Sequence, residues 1–119
     1  MKMNRNKMYR AFKNALAGLG YFFRHERNGR IQLVLGGVTI FFSVKLHISR
    51  VEWMIVLLCS GCVLFAEMIN SALEKLCDHI EPSFHLQIKI IKDIAAAAVL
   101  FISIISAIIG AFIFLPRLW

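Results

Sequence analysis

Three apolar runs alternate with polar joints along the chain. The first covers 31–48, interrupted by Gln32, Lys45 and His47; the second covers 53–66; the third covers 94–115 and carries no charge. As helices, the first and third would extend about 27 and 33 Å, against a hydrocarbon core of about 30 Å. The pattern predicts three membrane helices, 31–48, 53–78 and 94–115, the second continuing as helix past its apolar part. Lys45 and His47 stand near one end of the first, where long side chains can snorkel. Trp53 is placed as an interfacial anchor. Ala96, Ser103, Ala107 and Gly110 fall within about 60° of arc, a small-residue face expected to pack on another helix. Glu81-Pro82-Ser83 is expected to turn the chain, and Pro116 to end the last helix.

Ahead of these runs, 5–24 has a helical period. Met8, Phe12, Leu16, Leu19 and Phe23 share about 80° of arc, opposite Lys7, Arg10, Lys13, Asn14 and Arg24. Such a helix suits the membrane interface; packing on a soluble core is the other reading. The hexapeptide His25-Glu26-Arg27-Asn28-Gly29-Arg30 is expected to be a polar joint with Gly29 as its breaker.

Composition decides between those readings. Apolar residues make up 59% of the chain and mean hydropathy is +0.69, which excludes an ordinary soluble domain. The net charge of +7 gathers in the first 30 residues, where Lys2, Arg5, Lys7, Arg10, Lys13, Arg24, Arg27 and Arg30 face one acid, Glu26. Beside so apolar a remainder, that head points to an anionic lipid surface rather than nucleic acid. No secretory signal is expected, because the first long apolar run comes late. Positive-inside bias places the N-terminus and the 75–93 segment in the cytoplasm. Cys59 and Cys62 have a CxxC spacing but no partner ligands, so an inert pair is expected. The whole, 1–119, reads as one all-α membrane domain: 1–30 the interfacial helix and joint, then the three spans.

The chemistry lies in 66–93. On a helix, Glu67, Asn70, Glu74 and Asp78 share about 80° of arc. Stacked carboxylates repel, and Glu67 would sit at membrane depth, where an ionisable group is expensive. A divalent metal, Lys92, or both could compensate. A base at membrane depth, acids at the interface and a nearby lysine suit phosphoryl transfer from a nucleotide to a lipid hydroxyl. Neither a G-x-x-x-x-G-K-[ST] nor a G-x-G-x-x-G loop is present, so any ATP site is of another kind.

Glu67-Met68-Ile69-Asn70-Ser71-Ala72-Leu73-Glu74, then Asp78, then Lys92-Asp93 before an Ala-rich helix, resembles the bacterial diacylglycerol kinase family, which includes the undecaprenol kinases. The Glu26-Arg27-Asn28 joint after a surface helix is similar to the undecaprenol kinase branch in particular. The resemblance implies a helical-bundle homotrimer in the bacterial inner membrane, with active sites shared between subunits on the cytoplasmic side. It implies Glu67 as general base, Glu26 and Glu74 as Mg²⁺ ligands, and Asn70, Lys92 and Asp93 around the ATP phosphates. Lys92 and Asp93 lie about 100° apart on a helix, so they are not expected to share one task. Glycine at 29, a departure from the family pattern, is expected to loosen the joint.

Plainer roles stand beside these. Glu67 could be a structural hydrogen-bonding group between packed helices and Lys92 a snorkelling anchor. Asp78 and Glu81 are expected on a solvated face, and the four histidines show no metal-ligand spacing. Arg10 and Lys13 could reach nucleotide phosphates, although basic residues there more often bind lipid. The rival class is a non-catalytic scaffold or ion-conducting oligomer with an acidic stripe lining a pore. It requires polar residues through the full depth of one helix, whereas 53–64 offers only Ser60 and two cysteines.

Overall fold

The computed structural model describes residues 4–118; Lys2 of the basic segment lies outside them. The described residues form four helices and no strand: α1 (Arg5–His25), α2 (Arg27–Lys45), α3 (Arg50–Ile80) and α4 (Leu86–Leu118). The fold is therefore all-α, and α3 and α4 are long and apolar enough to cross a membrane. Apolar side chains such as Leu58, Phe65, Phe101 and Phe112 stand exposed along them, as a lipid-facing or subunit-facing surface requires.

The expected elements are present with shifted bounds. Helix α1 starts where the Asn4 side chain accepts from the Lys7 amide. The polar joint shrinks to one extended residue, Glu26, and Gly29 is no breaker. It sits buried inside α2, against Phe22 of α1. A Cβ on Gly29 would come within 2.6 Å of the Phe22 ring. Glycine therefore tightens the corner it was expected to loosen.

Helix α2 ends in a Schellman arrangement. The His47 amide donates to the Val44 carbonyl and the Ile48 amide to the Ser43 carbonyl, with His47 at φ 51°. Ile48 then buries against Val56 and Ile113, with the half-buried Trp53 packed on the cluster. Ser49 and Glu52 form a reciprocal capping box that starts α3.

Helix α3 runs through the carboxylate stripe to Ile80, as its periodicity predicted, and ends before Pro82. The expected 75–93 loop is far shorter. Helix α4 begins at Leu86, with the His85 ring accepting from the Gln87 amide, so Lys89, Lys92 and Asp93 are helical. Pro116 does not end α4. It occupies the last turn, where its ring interrupts only the terminal hydrogen bonds.

Helices α3 and α4 form an antiparallel hairpin, the tightest pairing in the fold. At one end Lys92 pairs with Asp78. At the other Arg117 forks onto both oxygens of Glu52, at 2.6 and 2.8 Å, and donates to the Ile113 carbonyl. Between them lie Ser103, Ala107 and Gly110 of the small-residue face, with Ser106 beside them. They border an apolar groove of about 600 Å³ shared with α2 and α3. The small-residue face thus opens onto a groove within the chain.

The Phe22–Gly29 contact yields a test. Gly29→Ala should lower thermal stability by about 1–3 kcal/mol through overpacking. Gly29→Ala combined with Phe22→Leu should recover part of that loss, because the two residues share one volume. Thermal unfolding of the four proteins in one detergent measures the coupling, and strict additivity would contradict it.

Candidate active site

Three elements meet where α1 turns into α2. Glu26, the extended residue between them, is brought against α3 because Phe22 and Gly29 let the two helices close. Its carboxylate lies 2.8 Å from the Lys75 ammonium. That ammonium also stands 5.4 Å from the centroid of the Tyr21 ring, which is stacked on His25. Lys75, with the Ser71 hydroxyl second, holds the Glu26 carboxyl below the usual carboxylate range despite partial desolvation.

Glu67 lies deeper on α3 and is only 7% exposed. The Asn28 amide approaches its carboxylate, and Glu74 and Glu26 are its charged neighbours. Seven residues of helix place it about 10 Å along α3 from Glu74. Among the described residues Glu67 forms no ion pair. One turn from it, the Asn70 side-chain oxygen is buried without a hydrogen-bond donor. Glu74 is exposed at the same end of α3.

The structure thus brings Glu26, Glu67, Asn70 and Glu74 to one region, as the stripe and the joint predicted. Lys92 reaches the neighbouring turn of α3, where it pairs with Asp78. Asp78 is therefore partnered, not merely solvated. Asp93 points elsewhere and pairs with Lys89 at 2.7 Å. Lys92 and Asp93 thus have separate partners. Arg10 and Lys13 are exposed on α1, about 16 and 12 Å along the helix from Tyr21. Within one chain they make no hydrogen bond or ion pair among the described residues.

Lys75, Tyr21, Ser71 and Asn28 complete the region and were not singled out from sequence. Lys75 lies about 100° off the carboxylate stripe, so periodicity alone ranks it as a solvated charge. Its importance comes from where α1 docks. Asn28 was legible only as part of the joint.

Two carboxylates from different elements can take a divalent ion. Among the described residues no three His, Cys, Asp or Glu side chains form a metal cage. Mg²⁺ needs none, since it commonly takes one or two carboxylates with water and substrate phosphates completing the octahedron. The unpaired Asn70 oxygen fits such an ion, and three carboxylates stand here against one lysine.

The apolar groove begins one turn from Glu67, at Val63 and Leu64, and runs to Val56 and Phe114. The Thr39 hydroxyl on its wall is already spent on the Leu35 carbonyl. Ser106 presents a buried hydroxyl oxygen without a partner.

Comparison with known proteins adds an independent observation. The prokaryotic diacylglycerol kinase family profile matches residues 13–114. The chain is 34% identical over 113 residues to the undecaprenol kinase of Bacillus subtilis (strain 168), covering 95% of this chain and 92% of that one. It is 37% identical over 109 residues to a diacylglycerol kinase of Synechocystis sp., covering 91% of this chain and 62% of that protein.

The lowered Glu26 pKa gives a pH expectation. A group whose folded pKa is depressed contributes stability above its unfolded value and loses it as pH falls through the folded one. Acidification below the ordinary carboxylate range should therefore loosen α1 from α3, while neutral and alkaline pH keep it docked. Proteolysis of the α1–α2 corner followed against pH measures this, and Glu26→Gln should remove the acid-dependent part.

Proposed function

The chain belongs to the prokaryotic diacylglycerol kinase family, and we propose that its carboxylate region phosphorylates a membrane lipid alcohol at the cytoplasmic interface. It is a membrane-bound lipid kinase with ATP as co-substrate. The observation that carries the assignment of the site is Glu67. It is a buried carboxylate on an apolar helix, without a cation of its own, beside two further carboxylates.

In this reading Glu67 accepts the proton of the lipid hydroxyl. The lipid oxygen forms a bond to the γ-phosphorus of ATP, the bond from that phosphorus to the β-bridging oxygen breaks, and ADP leaves. Glu26 and Glu74 would hold Mg²⁺, with Asn70 beside them; the ion would neutralise charge on the nucleotide phosphates. Lys92 stabilises charge on the transferred group, and Asp93, on another face of α4, borders the nucleotide site without sharing that task. For this the Lys92–Asp78 pair must open, a modest cost for a partly exposed ion pair, of about 1 kcal/mol or less. Arg10 and Lys13 would contact phosphates only if α1 of one subunit overhangs the site of another.

That last condition agrees with a homotrimer whose active sites are shared between subunits. So does the extent of apolar surface left uncovered in one chain. Helix α2 would be the third span, with Arg27 and Arg30 at the cytoplasmic interface and Lys45 near the other, and the N-terminus cytoplasmic. Its 19 residues extend about 28 Å, near the thickness of the hydrocarbon core.

For the lipid, the groove leading from Glu67 is the guide. It offers a long, mainly apolar wall, with Gln32, Ser60, Ser103 and Ser106 its polar side chains besides Thr39. That favours undecaprenol over diacylglycerol, with both phosphorylated. The groove's apolar character also weighs against a pore, since an ion conductor needs polar groups through its depth.

Glu67→Gln should lower kcat by about 10²-fold or more, the range of a general base, with the oligomer intact by size-exclusion chromatography. Near-normal turnover would remove Glu67 from that role. Glu26→Gln and Glu74→Gln should each raise the Mg²⁺ requirement, the double variant losing less than the product of the two. Undecaprenol and diacylglycerol competing in one micelle preparation, with γ-labelled ATP, should give more polyprenyl phosphate per mole fraction. Excess phosphatidic acid would reverse the preference, and no labelled lipid at all would end the reading.

A further inference from the structure

Lys75 is the cation nearest the proposed metal ligands, and it occupies one of them. Its ammonium lies 2.8 Å from Glu26. The ammonium sits on one Glu26 oxygen; a divalent ion drawn between Glu26 and Glu74 would set a second positive charge against it, and that repulsion favours exchanging one cation for the other. The contact is weak enough to yield: the Lys75 and Glu26 side chains are 49% and 25% exposed, and exposed pairs contribute little. The Tyr21 ring, 5.4 Å away, offers the ammonium a second resting surface, so leaving Glu26 does not strand it. Glu74, adjacent in sequence, keeps the lysine within the field of the site.

We propose that Lys75 is the ligand-free counter-cation of Glu26, displaced by the divalent ion, and that the freed ammonium then contacts the nucleotide phosphates. The site would carry its own cation while empty and exchange it when metal and nucleotide arrive. Lys75 thereby couples the two ligands: metal releases the lysine, and the lysine strengthens nucleotide binding. This rests on the reading of Glu26 and Glu74 as metal ligands. Lys92 has a similar resting pair, with Asp78, but that pair shares no residue with the proposed metal ligands.

The test reads binding without turnover, on the full chain in detergent micelles. Mn²⁺ is followed by electron paramagnetic resonance, and a β,γ-methylene analogue of ATP by equilibrium dialysis. Lys75→Gln should tighten Mn²⁺ alone by about two- to fivefold, the size of a surface ion pair. With Mn²⁺ saturating, it should weaken the analogue by about tenfold, and Lys75→Arg should hold that loss to about threefold, as a charge-assisted contact implies. Unchanged or weaker Mn²⁺ binding in Lys75→Gln overturns displacement. Unchanged analogue binding overturns the phosphate contact. Glu26→Gln separates this from the site reading: wild-type Mn²⁺ affinity in Glu26→Gln, or no Mn²⁺ binding by the wild type, removes the metal site and this proposal with it. Normal loss in Glu26→Gln with an inert Lys75→Gln removes the Lys75 proposal alone.

Discussion

The carboxylate region depends on one close approach of backbone to ring. Gly29 lets α2 pass against Phe22, and only with that corner closed does the extended residue between the helices reach α3. Glu26 is otherwise distant from Glu67 and Glu74 in sequence, and no helix periodicity could bring it to them. The ion pair with Lys75 meets that docking at its polar edge. Packing supplies the position and electrostatics the orientation.

Charge balance organises what surrounds that corner. Lys75 answers Glu26, Lys92 answers Asp78, and Lys89 answers Asp93. Glu67 is left buried without a cation, which is costly at membrane depth unless a ligand or a proton relieves it. Structural carboxylates in such places are ordinarily paired. The unpaired one, next to an Asn70 oxygen also lacking a donor, is where binding energy can be gained.

Much of this was legible in the sequence. The 3.6-residue period gave α1, the continuation of α3 beyond its apolar part, and the stripe of Glu67, Asn70 and Glu74. The eight-residue early start of α4 was not, because a hydropathy pattern marks the apolar part of a helix and not its polar turns. Gly29 illustrates the same limit differently. A glycine among polar residues reads as a breaker until the bulk that needs its missing Cβ, a phenylalanine seven residues earlier, is known to sit against it. Pro116 was misjudged because in a last turn there is little helix left to break. Lys75 and Asn28 could not be ranked, since their neighbours come from another element.

The two ion pairs closing the α3–α4 hairpin have a consequence for the membrane around it. Asp78 and Glu52 are separated by 26 residues of α3, and Lys92 and Arg117 by 25 of α4, so both helices measure about 38 Å between clamps. Charged pairs belong in the headgroup zones, and a bilayer including those zones is about 40–45 Å thick. The hairpin is therefore a ruler. Its register cannot slide by a turn without breaking a pair at each end, so in a thinner bilayer it must tilt as one body, while a thicker bilayer must thin around it. Tilting would carry Glu67 with it, making the depth of that carboxylate a function of membrane thickness.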